Sequence, residues 1–371
     1  MPIKIMSVFG TRPEAIKMLP LVKQIASTSG FDGKVCVTAQ HREMLDQVMN
    51  VFGVTPDFDL NLMRGDQTLA SLTSGVINGL NDVFARRRPD IVLVHGDTTT
   101  SFAAALTAFY HQIPIGHVEA GLRTYNMYSP FPEEVNRNLT ARLSTLHFAP
   151  TALNVSNLAK ENITDYVFKT GNTVIDAFAI TIRENYTFKN EDLRRIALNS
   201  DKIILLTAHR RENLGKPMRQ IFEAILAIAN ENPDVRIIYP VHKNPAVSDV
   251  AHEMLGNHPR INLIDPIDVE DMHNLMNHSY LVLTDSGGLQ EEAPALGKPV
   301  LVLRTETERP EAVESGVVKV VGIKTQDIID STNILLNNDI EYGKMSRAVN
   351  PYGDGHASER ICRAIASYFS I

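Results

Sequence analysis

The sequence predicts an α/β protein made of two Rossmann-like, doubly wound domains. Three observations predict it. Short, continuous apolar runs recur along the whole chain, amphipathic stretches separate them, and ionisable residues collect directly after the runs. Apolar strands alternating with helices mark a parallel sheet covered on both faces. At 371 residues the chain has room for about two to three domains of ordinary size.

The elements follow in order. Residues 3–9 read as a strand and 13–26 as a helix, with Pro13 suited to a first helical position. Strand 34–39 and helix 42–52 come next, then strand 90–94, helix 99–110, strand 113–118 and a short strand at 146–148. The second half repeats the style, with strands at 202–207, 235–241, 261–264, 280–284, 299–303 and 317–321. Helices fall between them, including 217–230, 289–295 and 327–337, and Pro294 should bend the second of these. The junction is expected near 169–185. The expected domains are therefore 1–170 and 171–356, with a last helix at 357–371 leaving the second domain to join the first.

Composition narrows the function. Hydrophobic residues make up 44% and charged residues 21%, as in ordinary globular proteins. Thirty-six Lys+Arg against 43 Asp+Glu leave a net charge of −7, which argues against a nucleic-acid partner. The two cysteines, Cys36 and Cys362, are too few for a disulfide framework or a cysteine-built zinc site. Cys36 lies in an apolar run and reads as core packing. No signal-peptide pattern or membrane span is legible, so the expectation is a cytoplasmic protein.

Ligands of open parallel sheets bind beyond the carboxyl ends of the strands. The residues found there are Gly10-Thr11-Arg12, Gln40-His41-Arg42, His95-Gly96-Asp97, Glu119-Ala120-Gly121, His209-Arg210-Arg211-Glu212 and Asp285-Ser286-Gly287-Gly288. Helix capping explains some threonines and glycines, but not this one-sided accumulation of cations and acids. Arg12 has the fork that matches an oxyanion, and Lys17 follows one helical turn later. Ser286, Gly287 and Gly288 lead from a strand into a helix, where free N–H groups and close backbone approach favour a phosphate. Glu292, further along, has a carboxylate suited to ribose hydroxyls. Asp97, Glu119 and Glu133 form a candidate carboxylate group, since neighbouring acids raise one another's pKa and supply a base or acid near neutrality. Glu133 follows the stiff Ser129-Pro130-Phe131-Pro132 stretch. Neither a dinucleotide fingerprint nor a P-loop is present. Asp57-Phe58-Asp59 has the spacing of a metal-binding pair, a spacing that arises readily by chance, and no metal ligand set is expected.

Taken together, these motifs carry a family resemblance. Phe9-Gly10-Thr11-Arg12-Pro13-Glu14-Ala15, His95-Gly96-Asp97-Thr98-Thr99, His117-Val118-Glu119-Ala120-Gly121-Leu122-Arg123, Pro132-Glu133-Glu134, Thr170-Gly171-Asn172-Thr173, Ala208-His209-Arg210-Arg211-Glu212-Asn213, Asp285-Ser286-Gly287-Gly288, Glu291-Glu292-Ala293-Pro294 and Glu308-Arg309-Pro310-Glu311 run in order along the chain. The chain closely resembles the bacterial non-hydrolysing UDP-N-acetylglucosamine 2-epimerases. That resemblance implies a glycosyltransferase-B-like fold with the nucleotide sugar in the interdomain cleft. It implies interconversion of UDP-N-acetylglucosamine and UDP-N-acetylmannosamine by elimination and re-addition of UDP through 2-acetamidoglucal, with no cofactor and no metal. It also implies a homodimer that supplies N-acetylmannosamine units for surface polysaccharide.

Carried over residue by residue, the resemblance places Asp97, Glu119 and Glu133 around the sugar and His209 at the diphosphate. Arg12, Lys17, Ser286, Gly287, Gly288, Glu292 and Arg309 become substrate-binding residues. Met272 stands where many members have an aromatic residue near uracil, so a softer thioether contact replaces stacking. Gln40, His41, Gln67 and His242 match a second, allosteric place seen in some members. Glu43 and Asp66 replace that pattern's glutamine and arginine, which disfavours an anionic nucleotide there. The alternatives are a hydrolysing 2-epimerase that releases N-acetylmannosamine and UDP, and a sugar transferase of the same fold.

Overall fold

The structure is a computed structural model that describes residues 1–39, 42–63, 67–196 and 202–370. The chain forms two compact units. The first comprises Met1–Ile180 and Tyr352–Ile371; the second comprises Thr181–Pro351. No helix among the described residues is long and apolar enough to cross a membrane.

The first unit holds a seven-stranded, wholly parallel sheet. Its strands are β1 (Ile3–Phe9), β2 (Phe31–Val37), β3 (Phe58–Asp59), β4 (Ile91–His95), β5 (Ile115–Val118), β6 (Leu146–Ala149) and β7 (Val167–Lys169). Their order is β3-β2-β1-β4-β5-β6-β7, with Ile5 beside Ile91 and Val92 beside Ile115. β4 is buried along its whole length, as the apolar run Ile91-Val92-Leu93-Val94 requires. Core residues of one face include Met6, Val8, Val92 and Val94, packed under Leu72, Val76, Leu80 and Phe84 of the helix Leu69–Arg86. Cys36 is buried in this core, and burial pushes its thiol up to about 12, which fits a packing role.

The second unit holds six parallel strands: β8 (Lys202–Thr207), β9 (Val235–Pro240), β10 (Ile261–Ile264), β11 (Leu281–Thr284), β12 (Val300–Val302) and β13 (Val318–Val320). Their order is β10-β9-β8-β11-β12-β13. Each sheet therefore reverses its winding direction once, between β1 and β4 in the first and between β8 and β11 in the second. Such switch points open a crevice at the carboxyl ends of the two strands that flank them. The doubly wound α/β class expected from the sequence is the class observed.

The differences are local. The strand expected at 34–39 begins earlier, at Phe31, and ends at Val37. β3 and β7 lie at the sheet edges and are too short for an apolar pattern to declare them. The helix after Ser286 runs from Gly287 to Glu292 and then tightens into a 3₁₀ turn, Ala293–Leu296, where Pro294 has no N–H to continue the ladder. The last helix, Ala357–Tyr368, belongs to the first unit. Its first two N–H groups, from Ala357 and Ser358, donate to the Asp176 carboxylate at 3.0 and 2.6 Å.

Candidate active site

In the first unit the chemistry gathers at the switch point. Thr11 caps the helix Arg12–Ser27, and Glu14 completes a capping box with it. Glu14 does more than cap. Its Oε2 accepts the N–H of Gly10 and of Thr11 at 3.1 and 2.8 Å, while its Oε1 accepts the hydroxyls of Thr98 and Ser101 at 2.7 and 3.1 Å. One buried carboxylate thus ties the turn after β1 to the turn after β4. Burial raises its pKa, and the four donors oppose that shift.

That brace fixes the neighbours of Asp97. The Arg137 guanidinium, on the helix Glu133–Leu143, donates to Asp97 Oδ2 at 2.6 Å, and Asn136 Nδ2 donates to the Asp97 carbonyl at 3.0 Å. Burial raises the Asp97 pKa; Glu119 and Glu133 add to the rise, and Arg137 opposes it. Asp97, Glu119 and Glu133 therefore share one electrostatic environment. Glu119 is ion-paired with Lys17 and accepts Asn172 Nδ2 at 2.8 Å. Its backbone sits in the left-handed region at φ 61°, a conformation that costs a non-glycine residue about 1–3 kcal/mol and clusters at functional sites. Glu133 Oε2 is buried and has no hydrogen-bond partner among the described residues. Buried polar atoms of that kind are rare in folded proteins, and substrate chemistry is one explanation. His95 Nε2 lies 3.7 Å from Glu119 Oε2, but burial brings the His95 pKa down to about 4, so this imidazole is neutral. Arg12 is half-buried at the start of its helix.

The second unit repeats the device. Asp285, fully buried after β11, accepts the N–H groups of His209 and Arg210 at 2.8 Å each and Asn213 Nδ2 at 3.0 Å, all on Oδ2. As with Glu14, one carboxylate joins the two arms of the switch point. A Cβ placed on Gly287 would sit 3.7 Å from Arg210 Nη2 and 3.8 Å from Arg309 Nη2, so two guanidinium groups converge on this glycine. Ser286 is the N-cap of its helix, yet its hydroxyl makes no cap hydrogen bond. Arg309 is held by the buried Glu291. Two guanidinium groups, a glycine turn and a hydroxyl not committed to capping have the chemistry an anion requires. Partial burial holds the His209 imidazole below the ordinary histidine pKa. Asp285 opposes that shift, and His242 and Arg210 reinforce it. Glu292 lies 3.4 Å from Nε2 of the buried His273, whose Nδ1 is 2.8 Å from Thr181 Oγ1.

The remaining expected residues fall as follows. His242 lies near His209 with ring centroids 5.4 Å apart. Gln67 Nε2 donates to the Leu62 carbonyl at 2.8 Å. Glu43 lies exposed in the first turn of the helix Arg42–Phe52. Gln40, His41 and Asp66 lie outside the described residues. Asp57 is engaged by Lys34 at 3.0 Å and by the Val35 N–H at 2.9 Å, and Asp59 by Arg42, so this pair is used structurally. Met272 is half-buried on the helix Val269–His278. Sequence reasoning misses Arg137 and His273, and it includes Glu14, Asn172 and Arg210 in its motifs without assigning them a role. Glu14 has a readable local signal in the Thr11-x-x-Glu14 capping box, and Arg210 in its place after a strand.

Comparison with known proteins agrees with this fold. The family model for UDP-N-acetylglucosamine 2-epimerase matches residues 23–366. The Bacillus subtilis UDP-N-acetylglucosamine 2-epimerase is 55% identical over 368 residues, 99% of this chain and 96% of that protein. Its Escherichia coli K12 counterpart is 51% identical over 369 residues, 98% of each chain. A crystal structure of the Neisseria meningitidis UDP-GlcNAc 2-epimerase bound to UDP-GlcNAc is 48% identical, covers 98% of this chain and 100% of its own, and superposes with a TM-score of 0.88. By its family model, its relatives and its fold, this chain belongs to the UDP-N-acetylglucosamine 2-epimerase family.

Proposed function

We propose that the protein interconverts UDP-N-acetylglucosamine and UDP-N-acetylmannosamine without net hydrolysis. The C2 proton has no adjacent carbonyl to acidify it, so direct removal and return is slow. Elimination solves this. A base takes the C2 proton, the C1–O bond to UDP breaks with its electron pair leaving on UDP, and a C1=C2 double bond forms, giving 2-acetamidoglucal. Re-addition of UDP at C1 with proton delivery to the other face of C2 completes the inversion. The cycle is redox-neutral and calls for neither a nicotinamide nor a metal.

The observation that carries this reading is the set of three carboxylates in unequal surroundings. Glu119 is ion-paired, Asp97 faces a guanidinium under a raised pKa, and Glu133 keeps a buried oxygen without a partner among the described residues. A reaction that removes a proton from one face and returns it to the other needs such differentiated groups. In this reading Arg12, Lys17, Ser286, Gly287, Gly288 and Arg309 bind the substrate, and His209 steadies the departing diphosphate. Glu292 takes the ribose, and Met272 contacts uracil. The protein works as a cytoplasmic homodimer and feeds surface-polysaccharide synthesis.

The test is incubation with UDP-N-acetylglucosamine in heavy water, followed by proton NMR of the anomeric signals. A reversible mixture of both nucleotide sugars, with deuterium entering C2, supports the proposal. Accumulation of free N-acetylmannosamine identifies the hydrolysing reaction instead. An unchanged spectrum eliminates both.

A further inference from the structure

We propose that Arg137 is a positioning residue for this chemistry: its guanidinium, braced from behind by Glu134, holds the Asp97 carboxylate in place. The inference rests on the epimerase reading above and adds to it a residue that lies outside every motif carrying the family resemblance.

The geometry is specific. Arg137 is 4% exposed and Glu134 1% exposed. Arg137 Nη2 is 2.6 Å from Asp97 Oδ2, while Nη1 is 3.2 Å from Glu134 Oε2. Glu134 is fixed in turn, because its carboxylate accepts the N–H groups of Thr124 and Tyr125 at 3.0 and 2.9 Å. The guanidinium therefore cannot follow Asp97 if that side chain swings away. Among the described residues, the buried Nε and Nη1 of Arg137 make no directed hydrogen bond; Nη1 meets Glu134 as an ion pair only, and the directed bond of this side chain goes to Asp97. A buried arginine with two nitrogens so poorly used is costly. Placement on Asp97 accounts for the expense.

The charges around Asp97 give the direction of the effect. From the helix Glu133–Leu143 it is faced by Glu133 and Arg137, with Glu134 against the far side of the guanidinium. From the turn after β5 it is faced by Glu119, whose Oε2 carries Lys17 of the helix Arg12–Ser27. His95, at the end of β4, is neutral. Burial and two carboxylates drive Asp97 towards protonation, and Arg137 is the cation in direct contact with it. Loss of the guanidinium lets Asp97 take up a proton at higher pH.

The experiment is the pH profile of kcat/KM, with kcat and KM resolved, for the full-length wild type, Arg137→Lys and Arg137→Met. The acidic limb should move upward by roughly 1–3 pH units in Arg137→Met. KM should change little, and Arg137→Lys should restore most of the profile. Arg137→Gln, which keeps an N–H donor without the charge, replaces Arg137→Met if that variant does not fold. A fall in kcat with the acidic limb unmoved overturns the positioning role, because a structural defect lowers activity at every pH alike. A wild type that interconverts nothing overturns the reaction and this role together; an active wild type with an unmoved limb in the variants overturns the role alone.

Discussion

Removing the Glu14 carboxylate should cost far more than neutralising it. In Glu14→Ala four donors lose their acceptor. Two of them have alternatives in place: Thr98 Oγ1 lies 3.1 Å from Ser101 Oγ, and Ser101 Oγ already donates to the His95 carbonyl at 2.5 Å. The backbone N–H groups of Gly10 and Thr11 are left buried and unpaired. An unsatisfied buried donor costs about 1–3 kcal/mol, so the substitution should destabilise by about 2–6 kcal/mol, a large share of a typical 5–15 kcal/mol. In Glu14→Gln the amide oxygen keeps the two backbone donors, and its NH₂ meets the Thr98 and Ser101 hydroxyls, which can turn to accept. What is lost is charge assistance, about half the strength of each remaining bond, offset by cheaper burial. The expected cost is under about 1.5 kcal/mol. Urea unfolding followed by far-UV circular dichroism, with m held equal, measures both. A Glu14→Ala cost below about 1 kcal/mol, or a Glu14→Gln cost equal to it, refutes the view that acceptor geometry rather than charge holds the switch point together.

Other outcomes follow from the same geometry. Because burial raises the folded-state pKa of Glu14 above 4.5, its contribution favours the native state at low pH and is lost as pH rises through the folded pKa. The stability of the wild type relative to Glu14→Gln should therefore fall as pH rises across that window, and a flat difference in a pH series of urea melts contradicts the sign. Asp97→Asn and Glu133→Gln should each lower kcat by roughly 10²–10⁴ with UDP affinity kept, as read by coupled kinetics and calorimetry. Normal turnover in either removes it from the acid–base set. Arg12→Ala should weaken UDP binding, and an unchanged calorimetric affinity takes Arg12 out of the phosphate site. Gly287→Val should fold normally and bind UDP poorly, because the side chain enters the space where Arg210 and Arg309 converge; retained affinity refutes the glycine turn as an anion cradle.

Sheet strands are legible in the sequence wherever burial on both faces forces a continuous apolar run. Lys202–Thr207 matches its expected bounds residue for residue for that reason; Ile261–Ile264 does so as an edge strand buried only at its two ends. β3 is two residues of mixed polarity, and β7 is a three-residue edge strand that is nowhere fully buried. Neither has enough pattern to separate it from a loop. The helix Glu133–Leu143 is hidden behind the proline-rich stretch before it, which reads as loop. Site carboxylates at strand ends are visible because polar residues there break the apolar pattern. Their partners are not: Arg137 is 40 positions from Asp97 and Asn172 is 53 from Glu119. Only the three-dimensional closure of the sheet brings such pairs together. Arg210 and Asp285 stand in the strand-end groups, but nothing in their spacing announces that one carboxylate receives the N–H groups of two residues 75 and 76 positions away.

The return of the helix Ala357–Tyr368 to the first unit has a consequence for biosynthesis. The second unit is continuous in sequence, whereas the first is built from two segments that lie on either side of it. Domains that emerge whole can fold during translation. Here the earlier segment waits until the whole second unit has been made, and the Asp176 carboxylate stays without its two backbone donors until Ala357 and Ser358 have emerged. A message truncated just before the codon for Tyr352 would thus yield a complete second unit attached to an unfinished first one, a species with an exposed apolar surface and a natural substrate for quality control.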